Sequence, residues 1–180
     1  MKPATALRSA LLCSALAVGL LTGCSAGEGG GDGGAAYAGD YAGHEPLAVV
    51  GYPSAGSLRI TQQVLWRLAD GKTADLASLA ADGDAEGDAR KTAENWVTAF
   101  REGARGKVTA DFYDEGSTRQ VVVLYFHGTA QIKEIQVRAT GNGGEDGWRV
   151  SMREPDPKEA AASPAWAPKT PGGLGSKTAG

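Results

Sequence analysis

The sequence predicts an α+β domain in which N-terminal helices pack on a curved four-stranded antiparallel sheet. Three observations carry this prediction. Apolar residues recur at helical spacing between about residues 57 and 100, they recur at alternate positions from residue 107, and glycine and proline concentrate toward the ends of the chain. With 180 residues, 42% hydrophobic and 22% charged, the chain has room for one modest core. The globular part is expected at residues 54–155.

The elements before it concern address rather than fold. Lys2 and Arg8 form a positive segment, and residues 11–21 are an apolar run too short to span about 30 Å of hydrocarbon as a helix, so they read as the core of an export signal. The run ends in Leu21-Thr22-Gly23-Cys24, which resembles the lipobox of bacterial lipoproteins. The resemblance implies that the Cys24 thiol takes a diacylglyceryl group and that a signal peptidase cuts between Gly23 and Cys24, removing residues 1–23. A thiol is a good nucleophile for such acylation, and the acyl chains would anchor the product stably. The expected address is the extracytoplasmic face of the cell membrane.

Residues 24–53 are expected to be a flexible tether, because eight glycines fall among residues 25–43 and nothing there could form a core. The run Gly-Glu-Gly-Gly-Gly-Asp-Gly-Gly is not a phosphate cradle, since no Lys-Ser/Thr follows it. Loss of the leader's two positive charges takes the formal charge from -3 to -5, which gives no electrostatic case for nucleic acid. Cys13 leaves with the leader, so the domain must fold without disulfides.

Ser57 is a candidate cap for a first helix reaching Asp70, with Val64, Leu65 and Leu68 on one stripe and Gly71 as its stop. A short helix capped by Thr73 presents Leu76 and Leu79. A third, from near Asp88 to Gly103 and Gly106, carries Ala93, Trp96, Val97 and Phe100 at i, i+3, i+4 and i+7. Four strands follow at about 107–113, 119–127, 132–139 and 148–153, the last two joined by Gly141-Asn142-Gly143-Gly144, which tolerates the positive φ of a hairpin loop. Residues 156–180, with four prolines and no apolar period, are expected to be a disordered tail.

This order resembles the small domains of the nuclear transport factor 2-like superfamily, also called cystatin-like. The residues that carry the resemblance are Trp66 and Trp96 on the helical hairpin, the Asp75-Leu76-Ala77-Ser78-Leu79 turn and the closing Gly147-Trp148-Arg149-Val150 strand. It implies a sheet that wraps the helices around a conical pocket. A small apolar pocket is expected near Trp66, Trp96, Phe100, Phe112 and Trp148, although such aromatics are more commonly core.

Alternation places Val108, Ala110, Phe112, Val122, Leu124, Phe126, Ile135, Val137, Trp148, Val150 and Met152 toward the helices. The opposite face then carries Val121, Val123, Tyr125 and His127, either as a surface for a partner or homodimer or as a patch covered by the C-terminal tail. His127 is the one histidine of the expected domain and the natural general acid or base, with Asp111 or Asp114 to orient it. Isomerases of this superfamily use an acid inside the cone, and the register puts none there. Residues 82–88 resemble the first half of a calcium loop, but Ala93 stands where the bidentate acid belongs. No cofactor, metal or catalytic set is therefore expected. The leading expectation is a lipid-anchored, non-enzymatic binding or accessory module for an envelope protein or a small apolar ligand; the alternative is an isomerase- or cyclase-type enzyme using the cone.

Overall fold

A computed structural model of the chain describes residues 43–141 and 144–173. Gly23, Cys24 and most of the expected tether lie outside the described residues. The elements are β1 (Ala48–Gly51), α1 (Ala55–Asp70), α2 (Thr73–Ala77), α3 (Glu86–Ala104), β2 (Val108–Asp114), β3 (Arg119–Phe126), β4 (Gln131–Ala139), a 3-10 turn (Gly144–Gly147), β5 (Trp148–Val150) and α4 (Pro157–Ala160). Among the described residues no helix is long and apolar enough to cross a membrane.

The α+β class holds, but the sheet is not a four-stranded antiparallel one. Its five strands run in the order β1-β2-β3-β4-β5, with β1 parallel to β2 and the other neighbours antiparallel. The missed strand, β1, was expected to be tether. Its signal, the short apolar run Leu47-Ala48-Val49-Val50, is faint: its four residues alternate only between intermediate and exposed, Val49 being exposed, so the strand is held mainly by its backbone ladder to β2. The three helices α1 to α3 form the crossover between the parallel pair. β5 ends at Val150 rather than Arg153; Leu79 and Ala81 bracket Val150 with two backbone hydrogen bonds, so its free edge is closed.

Helix ends differ from expectation by local chemistry. The cap of α1 is Ser54, whose Oγ accepts from Ser57 N at 3.1 Å. Lys72 precedes α2 without a side-chain cap bond, and Thr73 is the first helical residue. Gly71 ends α1 at φ 72°, with its N–H donating to Arg67 and Leu68 carbonyls. No side chain caps α3; Asp88 lies inside its first turn beside Glu86, where negative charge suits the helix dipole. Gly103 is not a stop either. A Cβ there would stand 2.8 Å from Phe126 Cβ and 2.7 Å from Thr129 Oγ1, so the glycine lets α3 approach β3.

Every inward assignment made from strand alternation is met. Those residues join Ile60, Val64, Leu68, Leu76, Ala93, Trp96 and Phe100 in one core, in which Phe100 stacks on Phe126 at 5.2 Å. Ala160 of α4 is also fully buried there.

Candidate functional site

The expected pocket residues separate into two groups. Trp96, Phe100, Phe112 and Trp148 are packed members of the core. Trp66 is buried too, but it stacks on His44 at 5.6 Å, and the space it shares with Pro46, Leu47, Gln62 and Leu65 is about 10 Å³, room for at most a single water. His44 Nε2 lies 3.1 Å from Asp70 Oδ1, with Lys72 Nζ 3.2 Å from the other carboxylate oxygen. Partial burial acts to raise the Asp70 pKa, but the hydrogen bonds and charges of His44 and Lys72 outweigh it and hold the carboxyl below its ordinary range.

The expected partner surface is covered by the chain itself. Val121, Val123 and Tyr125 are buried. Residues 154–173 lead from the helix side, past the start of β4, across the outer face of the sheet. Asn95 holds the Glu154 and Pro155 carbonyls, Trp166 donates to Glu134 at 2.6 Å and meets Tyr113 edge-on, Tyr125 donates to the Pro168 carbonyl, and Gly172 N donates to Asp111 at 2.7 Å. The expectation of a tail without structure from residue 156 therefore fails for residues 156–173, which act as a strap. A proline-rich strap binds by separate contacts, not by an apolar period, which is why composition misread it.

Under the strap, Tyr113 also donates to Asp111 at 3.0 Å. Burial, then the bond to Asp111 and its charge, push the Tyr113 hydroxyl far above the usual phenol range; burial and the same charge raise Tyr125. His127 is exposed at the far end of β3, and Thr109, not Asp111 or Asp114, faces it at 2.8 Å. In the acidic loop, Asp84 is spent on Met152 N and Arg153, and among the described residues no cluster of three metal-ligating side chains is present.

Two polar features escaped the sequence reading. Lys133 has inward parity on β4 and is buried; its Nζ lies 2.5 Å from Glu154 Oε2 and 5.2 Å from the centre of the Trp96 ring, while Trp96 Nε1 donates to the same carboxylate. A lysine at an inward position was the available signal. This ion pair closes the core where β5 no longer covers β4.

The second feature is a row of arginines at the end of the outer face that the strap leaves open. Arg119 of β3 stands directly opposite Arg138 of β4, which stands opposite Arg149 of β5. Arg153 completes the group, and Arg119, Gln136, Arg138, Ser151 and Arg153 line a groove of about 190 Å³. A second groove of about 250 Å³ shares Gln136, Ser151 and Arg153 and runs toward Trp96 and Glu154. Arg138 donates to the Asp82 carbonyl, and Arg149 to the Asp146 and Trp148 carbonyls. Asp84 pairs with Arg153 of the group itself, and Asp146 pairs with Arg59. Alternation outward from Val121 reaches Arg119, so the row was readable in principle once the strands were paired. Comparison of the chain with protein-family models, with curated proteins and with solved structures finds no match, and the function must be argued from these residues.

Proposed function

We propose that this chain is a membrane-anchored extracytoplasmic lipoprotein, lipidated on Cys24, whose nuclear transport factor 2-like or cystatin-like domain is a non-enzymatic binding or accessory module. It works at the arginine end of the sheet. One observation carries the reading: the described chain covers its own apolar outer face and leaves open a row of like charges. A binding surface for an envelope partner or ligand fits that arrangement, and Trp96, Phe100, Phe112 and Trp148 are packed in the core instead of lining a pocket.

The alternative, an isomerase- or cyclase-type enzyme, draws on one feature. Asp111 is buried beside Tyr113, an acid next to a phenol. Its carboxylate already accepts from Gly172 N and Tyr113 and lies outside the helix-sheet interior, so it is spent on holding the strap.

The anchor is tested by replacing Cys24 with alanine in the native host. Expression of the full chain should give a membrane-bound protein carrying the mass of a diacylglyceryl group, and C24A should lose both. A wild-type chain recovered unlipidated in the soluble fraction would overturn the anchoring.

A further inference from the structure

We propose that the arginine row is an oxyanion site that takes a phosphoryl group. This deepens the reading as a binding module. Neighbouring strands lie about 4.8 Å apart, so three guanidinium stems directly opposite one another stand within about 10 Å. Like charges in that relation repel. The contacts of Arg138 and Arg149 are to backbone carbonyls, which accept hydrogen bonds without neutralising charge. The Arg119 side chain is exposed and makes no hydrogen bond or ion pair among the described residues. Among the described residues, Arg153 alone of the four pairs with a carboxylate, that of Asp84.

The charge count selects the ligand. Among the described residues Arg119 and Arg138, which line the groove, and Arg149 beside them pair with no carboxylate, in a chain whose formal charge is -3, so the local excess is opposite in sign to the whole. A single carboxylate would leave most of that charge unmatched. A phosphoryl dianion carries two charges and presents tetrahedral oxygens to several planar forks at once, the arrangement for which arginine is suited above lysine. Gln136 and Ser151 add side chains that can hydrogen-bond along the floor of the groove. Tyr52, 94% exposed, stands at the same end, where its carbonyl accepts from Gln120. The phosphoryl group can belong to a small ester or to a phospholipid headgroup, and the same contacts serve both.

The test uses the purified full-length chain with inorganic pyrophosphate as probe, followed by calorimetry and by the thermal midpoint. Saturable one-to-one binding is expected, weakening as ionic strength rises and about tenfold or more weaker in R138Q, with R138K in between because it keeps the charge and loses the fork. K91Q, an exposed change on α3, should bind as the parent does, and far-UV circular dichroism shows whether each variant is folded. Co-sedimentation with phosphatidylglycerol vesicles, carried out on the C24A background so that the acyl anchor does not itself bind the vesicle, forms the second arm. Vesicle binding lost in R119Q and R138Q assigns a headgroup, pyrophosphate binding alone assigns a soluble ester, and either supports the site. Absence of saturable binding, equal binding by folded R138Q, or equal competition by a glutamate oligomer of matched charge overturns it. Such a failure with Cys24 still lipidated would leave the anchored-module reading standing.

Discussion

The two faces of the sheet are built by different means. Toward the helices, Val122, Leu124, Val137 and Val150 are wholly buried in one core with Leu68, Leu76, Ala93 and Phe100, and their fit depends on volume. On the outer face the apolar side chains are fewer, and the cover is a strap fixed by one hydrogen bond at a time, from Trp166, Tyr125 and Gly172. The inner face is therefore sensitive to shape along its whole length. The outer one is sensitive at a few fixed points, and between them it can change sequence freely. The arginine row begins where those points end.

The largest effect should come from the inner face. Leu124→Ala removes a fully buried side chain from the core, and chemical denaturation should show a loss of about 2–5 kcal/mol. A loss as small as that of a surface change would mean that the core is loosely packed, and the contrast between the faces would collapse. Next is the strap. Trp166→Ala deletes a hydrogen bond to a carboxylate and an edge-on contact with Tyr113, a loss of about 2 kcal/mol. It should also expose Val121, Val123 and Tyr125, so binding of a hydrophobic dye in the native baseline is the sharper readout. Unchanged dye binding would show that the strap stays seated without its tryptophan.

The smallest effect separates neither face but tests the chain's entry into the domain. Because the Asp70 pKa is lowered below its ordinary 3.8, the His44 and Lys72 contacts add stability that is present above that value and is lost as pH falls through the lowered one. Asp70→Asn should flatten the acid limb of the stability profile and lower stability near neutral pH by less than about 1 kcal/mol, since the pair is partly solvated. An unchanged acid limb would mean that residues 43–47 are not held there.

What could be read in advance follows the same division. Alternation along residues 108–112, 122–126 and 135–137 identified the inward set because burial on one face imposes a period of two on the sequence. Helices α1 and α3 were visible for the corresponding reason, although Gly103 was taken for a stop when it is a point of close approach to Phe126. The strap leaves no such trace, and that of β1 is only four residues long. β1 is an edge strand held by backbone pairing, and the strap's contacts at Trp166, Pro168 and Gly172 obey no repeat. Of the candidate site, the arginine side chains were readable as outward-facing, but their alignment in one row depends on the register between three strands, which a single sequence does not encode locally.

The strap also governs when the outer face is sealed. Its bonds join residues far apart in the chain, Tyr125 with Pro168 and Asp111 with Gly172, and the receiving sheet must exist before they can form. A chain emerging from its N-terminus can assemble the helices and the sheet while Val121, Val123 and Tyr125 still face water. That interval ends only when residues 166–172 arrive. The apolar outer face is thus a transient hazard of synthesis that the completed protein keeps sealed, and a chain shortened before Pro164 would carry it permanently.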